Sequence, residues 1–477
     1  MINMKADITP KSKGHTRVQW AVTILCNLPN LTYGLQCGWM SPMTKLLQSA
    51  ESPTGRPLTD SEISWIAGAP SLSAVLGVMI FVQLVDRYGR RLGILLMLVF
   101  QALTWIIKMF PASTTSLIVA RLSCGIAGGG CFHMVPMYVK EIAQDSIRGT
   151  LSSVFILAQS VGILLMYALG GFLDYYTVLW VVVGLPILNF ALFLKAPESP
   201  AYLMKEGKAD EAAKTLALLR GMNVDDKPIQ NEVDAIKRDD EYFKTLPETS
   251  IVNIYKTKAW RKAFMIMFLI INMHATNGGF AILNYAATLL SNSGVSISPE
   301  LQSLSIPICM MAGSLVTFVT IDRLGRKPIM ATAFGASAVA FACIGSSTLL
   351  QQYGWNTPGW LNIVMLMVVV CCYGGGVSPV PFIVMPEIFN FRIRAKLMGY
   401  LVMTAWFMSF VQLLVFGTLT SNYGAHVGFF MFVVINVVGA ALTVLILPET
   451  KGKSVALIER ELSEGKRNKS VECGYIK

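Results

Sequence analysis

Long apolar runs, each closed by a short polar or glycine-containing break, account for most of the 477 residues. A membrane-crossing helix needs about 20 predominantly apolar residues. On that measure the runs lie at 18–40, 63–85, 92–111, 115–139, 150–173 and 176–195, then at 263–290, 300–321, 328–349, 359–385, 397–419 and 425–447. The pattern predicts an all-α membrane protein of twelve transmembrane helices in two six-helix bundles. The domain map is a tail (1–17), a first bundle (18–195), a charged linker (196–262), a second bundle (263–447) and a second tail (448–477). Within the linker, 205–220 and 228–245 have helical spacing, with Leu203, Ala212, Leu216 and Leu219 on one side. Short amphipathic helices against the membrane face are expected there; the plainer reading is a connector between bundles.

The polar breaks repeat. Asp86-Arg87-Tyr88-Gly89-Arg90-Arg91 after the second run returns as Asp322-Arg323-Leu324-Gly325-Arg326-Lys327 after the eighth. Glu141 with Arg148-Gly149 returns as Glu387 with Arg394-Ala395, and Pro197-Glu198-Ser199 returns as Pro448-Glu449-Thr450. Two similar halves with charged turns at matching places are the signature of a two-bundle transporter.

Composition agrees. Charged residues make up 14%, against about 25% in soluble domains, and mean hydropathy is +0.55. The net charge of +11 would suit a polyanion partner were it not for its placement. All but Lys45, Arg56, Lys108 and Arg121 of the 39 Lys and Arg fall on or beside one set of alternate loops, together with both tails. That bias puts the N- and C-termini in the cytoplasm of a multi-pass cell-membrane protein and argues against a nucleic-acid partner. The first helix is read as a retained insertion signal. Eight of the nine cysteines lie in apolar runs and none in a predicted outer loop, so no disulfide framework is expected. Cys371-Cys372 reads as packing. There is no Walker loop, no His/Cys metal spacing and no nucleophile–base pair; no cofactor, metal or enzymatic activity is expected. Gly128-Gly129-Gly130 and Gly374-Gly375-Gly376, inside spans four and ten, read as close helix packing.

Together the repeated phrases, Arg121 opening span four, and Pro448-Glu449-Thr450-Lys451-Gly452 closing span twelve resemble the sugar porter family of the major facilitator superfamily over essentially the whole chain. Gly34-Leu35-Gln36-Cys37-Gly38-Trp39-Met40-Ser41-Pro42 is similar to the insect facilitated trehalose transporters within it. The resemblance implies a charged gate at the cytoplasmic mouth, made by Asp86, Arg87, Arg90, Arg91, Glu141 and Arg148 in one half and Asp322, Arg323, Arg326, Glu387 and Arg394 in the other. A network that forms in one state only biases which side is open; the bland alternative is that these charges merely anchor helix ends. One departure stands out: Val82 replaces the family's glycine four residues before Asp86, which predicts looser packing there.

The substrate region departs further. Counting back from Tyr285, the family's span-seven amide phrase is replaced by His274-Ala275-Thr276-Asn277-Gly278-Gly279-Phe280; span ten reads Ser378-Pro379-Val380-Pro381-Phe382, and span eleven keeps only Trp406 of an Asn-Trp pair. Candidate substrate contacts are Gln36, Gln159, His274, Asn277, Asn284, Tyr285, Phe382 and Trp406. Gly278-Gly279 offers a helix break beside them. Each polar group has an ordinary helix–helix hydrogen bond as its alternative, and for His133 that structural role is expected. Proton-linked relatives carry an Asp in span one, where this chain has Gln36, and no Asp or Glu lies deep in a span. The expectation is a monomeric facilitative carrier of a sugar, trehalose or a hexose, across the plasma membrane by alternating access. The alternatives are another small neutral or organic solute, or a non-transporting sugar sensor.

Overall fold

The computed structural model describes residues 15–110, 113–144, 146–245, 257–283 and 299–464, and all regular structure among them is helical. The first bundle comprises α1 (Arg17–Gly38), the short α2 (Met40–Leu47), α3 (Asp60–Tyr88), α4 (Arg90–Met109), α5 (Thr114–Ile142), α6 (Arg148–Phe172) and α7 (Tyr175–Phe193). The linker carries α8 (Pro200–Lys205), α9 (Ala209–Arg220) and α10 (Lys227–Thr245). The second bundle comprises α11 (Lys258–Thr276) with its continuation at 279–283, α12 (Pro299–Leu324) and α13 (Arg326–Gln352). After these come α14 (Gly359–Cys372), a π-helical turn (Tyr373–Val377), α15 (Pro379–Ile388), α16 (Phe391–Tyr423) and α17 (Ala425–Ile446), and α18 (Val455–Glu464) follows.

Among the described residues, eleven helices are long and apolar enough to cross a membrane. The twelfth expected span, α1, falls below that hydropathy because it faces protein rather than lipid. Gln19, Asn27, Asn30 and Gln36 are all buried along it. Such polar residues are tolerated where neighbouring helices supply partners: Asn30 donates to the Phe155 carbonyl and Thr32 to the Gln101 side chain. The seventh span begins at Lys258, five residues before the expected 263.

Helix starts follow their capping residues: Thr59 accepts from the Glu62 amide, Asp174 from Thr177, Ser199 from Tyr202 and Asn390 from Ile393. The repeated turns are built alike. Gly89 (φ 90°) separates α3 from α4, and Gly325 (φ 92°) separates α12 from α13. That backbone region favours glycine. A second reason is spatial: a Cβ at Gly89 would overlap the Glu198 carboxylate, and one at Gly325 would crowd Glu449.

The bundles meet along α6 against α12 and α3 against α16. At the latter crossing the expected looseness at Val82 is not found. The Val82 side chain fills the space that a Cβ on Gly399 would occupy, so the small residue sits on the partner helix instead. The glycine triplets do pack closely: Gly129 lies on the Ala74 carbonyl and Gly374 on the Met310 carbonyl. The linker helices are tied to the bundle through Arg220, fully buried, whose guanidinium donates to Ile142 O at 2.9 Å and pairs with Glu232 at 2.5 Å. His15 N–H donates to Arg220 O (2.8 Å), and Glu459 of α18 accepts from Asn390 at the start of α16, whose Arg394 reaches Glu141 at the end of α5, so the first described residues, the linker and α18 share one face, here called the terminal face.

Candidate functional site

Between the bundles lies a cavity of about 680 Å³ including its open mouth. Its walls come from both halves: Tyr33, Arg121 and Gln159 from the first, Phe280, Tyr373 and Trp406 from the second. It extends toward the ends of α1, α3 and α6 remote from the terminal face, where Gly38, Ala67 and Tyr167 line it. Below it an aromatic floor closes the path. Phe132 contacts Phe155 and Phe382 at 5.0 Å between ring centroids and Trp406 at 5.5 Å, all edge-on, the geometry that aromatic quadrupoles favour.

The sequence-picked residues divide. Gln159 and Trp406 line the cavity, and Phe382 belongs to its floor. His274 does not line the cavity. It is buried behind the wall, stacked on Tyr373 (5.9 Å) and edge-on to Phe382 (5.5 Å), and it hydrogen-bonds the Val377 backbone. Gln36 is likewise behind the wall: its side-chain amide donates to Gln101 O at 3.3 Å, and its main-chain carbonyl accepts from Arg121 at 2.8 Å. Asn277 serves the helix break. Its side-chain oxygen accepts from Gly279 N (2.9 Å), while Asn436 donates to its carbonyl (2.8 Å). Asn284 and Tyr285 lie outside the described residues. His133 does not make the expected interhelical hydrogen bond; it is fully buried, with no partner at either ring nitrogen.

The break itself is where Gly278-Gly279 placed it. Gly278 has φ 101°, and a Cβ there would overlap Phe341 and Phe432. With its amide turned to match, Gln412 on α16 spans the break, donating to Ala275 O and accepting from Gly278 N. A lone Gln in an apolar span was the signal for it. Arg121 is the other residue the candidate list missed. Nε donates to Ile66 O (3.1 Å) and Nη1 to Gln36 O (2.8 Å), so two neutral carbonyls hold a cation in the cavity wall. Its mark in the sequence was its exception to the one-sided placement of basic residues. Another such exception, Lys108, is fully buried with its ammonium 3.7 Å from the Trp39 ring centroid and 4.4 Å from that of Trp105.

A lattice of charges closes the terminal face. Arg90 on α4 binds Glu141 on α5 through two bonds (2.9 and 3.0 Å). Arg326 on α13 repeats this with Glu387 on α15 (3.2 and 2.8 Å). Glu198 accepts from the amides of Arg90 (2.9 Å) and Arg91 (3.1 Å), and Glu449 from those of Arg326 and Lys327 (both 3.1 Å). A carboxylate over free helix N-termini is electrostatically favoured. Burial nevertheless pushes the Glu198 carboxyl above its ordinary pKa, against the pull of those amides.

The lattice also reaches across between the bundles. Arg394 reaches Glu141 at 3.5 Å, and Asp322 accepts from both the amide and hydroxyl of Thr150 at 2.7 Å. Asp322 also pairs with Arg326 (3.1 Å). The remaining members lie at the margin. Asp86 is 4.0 Å from Lys205 and Arg87 stacks on Tyr88; Arg91 donates to Leu194 O and Arg148 to Ala143 O (3.5 Å), while the Arg323 carbonyl accepts from Lys451 (2.7 Å).

Comparison with known proteins places this geometry. The chain is 26% identical to the facilitated trehalose transporter Tret1 of Bombyx mori over 443 residues, covering 92% of this chain and 85% of that one. It is 25% identical to Tret1 of Anopheles gambiae over 449 residues, covering 94% of this chain and 56% of that longer protein. In fold it matches the proton:xylose symporter XylE bound to 6-bromo-6-deoxy-D-glucose with a TM-score of 0.81 at 20% identity, over 93% of this chain and 99% of that one. The family model described as sugar (and other) transporter matches residues 22–462. A two-bundle helical fold, a cavity walled by both halves and a charge lattice on one face thus come with a family match over nearly the whole length, and the chain belongs to the sugar (and other) transporter family.

Proposed function

We infer that this protein is a facilitative carrier of a sugar, with trehalose and hexoses the first candidates, working by alternating access in the plasma membrane with the terminal face in the cytoplasm. The observation that carries the reading is the pairing of a central cavity, walled by both bundles, with inter-bundle charge contacts on the terminal face alone among the described residues. Such an arrangement is accessible from one side and shut on the other. Arg394–Glu141 and Asp322–Thr150 act as the gate: they hold the bundles together while the cavity faces outward and part when it faces inward. Aromatic walls stack on sugar rings, and Gln159 and Arg121 address hydroxyl oxygens. The chain works as a monomer, since cavity and gate are complete within it.

The test is zero-trans uptake of labelled trehalose, glucose and fructose into liposomes, with an Arg394→Ala variant beside the wild type. Saturable uptake of a sugar, reduced by the variant, supports the reading; no uptake of any sugar by correctly inserted protein refutes it. Arg121 favours a second reading, a solute with an acidic oxygen, because an ionised partner makes a guanidinium hydrogen bond stronger than a neutral one does. Competition by a sugar acid exceeding that of its neutral parent, lost in Arg121→Gln, would move the assignment there.

A further inference from the structure

A groove on the lipid-facing surface of the second bundle combines a cationic end with an apolar length. It is lined by Arg261, Lys262, Met265, Ile266 and Leu269 of α11 and by Ile446 at the end of α17. Its free space is about 1000 Å³ counting its open side. Arg261, Met265 and Leu269 recur every fourth residue and so stand in one row; Arg261 and Met265 are exposed. From Arg261 to Leu269 the row descends about 12 Å at ~1.5 Å per residue, close to one leaflet of a hydrocarbon core about 30 Å thick. The cations lie at the terminal-face end, because the first turn of α11 touches α18: Trp260 Nε1 donates to Glu459 at 3.0 Å and Lys262 Nζ to Leu462 O at 2.9 Å.

We propose that this groove is a binding site for an anionic phospholipid of the leaflet on the terminal face, its phosphate held by Arg261 and Lys262 and an acyl chain lying along Met265, Leu269 and Ile446. Charge complementarity selects the occupant. A zwitterionic headgroup would set its own cation against the two basic side chains, whereas an anionic one meets them with net opposite charge. Lys262 can serve a phosphate and α18 at once, since an ammonium has three donors and the Leu462 carbonyl takes one. The lipid then stands where α11, α17 and α18 meet. From there the contacts run on to the gate: Asn390, which also donates to Glu459 (2.8 Å), caps the helix that carries Arg394. Loading the groove therefore holds α18 in its docked position. The proposal is independent of the solute carried, and a lipid titration of the isolated chain makes it independent of orientation as well.

The experiment is native mass spectrometry of the full chain titrated with phosphatidylglycerol or phosphatidylcholine, with hydrogen exchange of 455–464 as a second readout. Expected is one phosphatidylglycerol bound in preference to phosphatidylcholine, with slower exchange in α18. The preference falls by about twenty-five-fold in Arg261→Ala/Lys262→Ala, at about five-fold per cation, and Arg261→Lys retains it. Met265→Trp/Leu269→Trp, which keeps both charges but fills the apolar row, weakens binding of either lipid and decides the matter should the charge variant fail to fold. Equal binding of the two lipids by wild type overturns the proposal. So does a preference that survives loss of both cations, or displacement of the lipid by inorganic phosphate at concentrations matched in charge.

Discussion

Glu141 holds guanidinium groups from opposite bundles, Arg90 of its own and Arg394 of the other, and its side chain is 1% exposed. In so dry a place, removing one partner of an ion pair is far more costly than the pair itself is worth, on the order of 3–5 kcal/mol. Glu141→Gln leaves two buried cations facing an amide. The expected outcome is a shift away from the state closed on the terminal face, read as faster hydrogen exchange over 148–156; unchanged exchange would show that the cross-bundle contact does not hold that state. Gly399 makes a second, steric prediction. Because Val82 occupies its Cβ position, Gly399→Val should lower both uptake and melting temperature, and Val82→Gly in the same chain should restore them. Contacting sites of this kind couple by roughly 0.5–3 kcal/mol in double-mutant cycles; additive losses would sink the account. Sequence reading found Val82 as a departure but could not find its compensation, since nothing in a single chain says which helix crosses which.

At the scale of elements, the break in the seventh span was legible because Gly278-Gly279 interrupts an apolar run. What the break does to its neighbours was not. Turning the backbone at Gly278 points Asn277 inward to cap it, so a residue that a straight helix would aim at the cavity is used up in holding the bend. The same holds for α1, where the Gln36 side chain is drawn behind the wall and its amide donates to Gln101 O. Gly278→Ala meets both a disfavoured φ and two phenyl rings. Strain of about 1–3 kcal/mol from the backbone alone should appear as a lower melting temperature, whereas Gly279→Ala, at a helical residue against Tyr373, tests the role of contact without the dihedral; equal losses would refute the conformational argument. In α18, burial raises the Glu459 pKa above its ordinary value despite hydrogen bonds from Asn390 and Trp260. A carboxyl whose folded pKa is raised stabilises the docked state below its unfolded pKa and loses that contribution as pH rises through the folded value. Glu459→Gln, which mimics the protonated form, should keep 455–464 protected at neutral pH while Glu459→Ala exposes it; protection lost equally in both would show that the charge itself does the docking.

For the whole molecule, the duplicated turns predicted the two-fold plan, and the lattice follows it closely: Arg90–Glu141 answers Arg326–Glu387, and Glu198 answers Glu449. Where the bundles meet, an ion pair runs from Arg394 to Glu141 and a hydrogen bond from Thr150 to Asp322. The repeat could not foretell this, because an internal duplication specifies each half and leaves the seam between them to packing. Coupling to protons belongs to this scale too, since it needs a titrating group that both faces can reach in turn. Among the described residues, Glu141 and Glu387 sit within the last helical turn of their spans, already held by arginines. Deeper in, the titratable imidazoles are His133 and His274, both buried and neither lining the cavity. Initial rates of sugar uptake should therefore stay flat across the range of about pH 5–8 where histidine titrates, and preloaded unlabelled sugar should accelerate entry of label without any pH gradient. His133→Phe and His274→Gln should leave that flatness intact even where they alter the maximal rate. A rate that climbs on acidification and loses its slope in one of the two variants would identify a histidine proton carrier and make this protein a symporter.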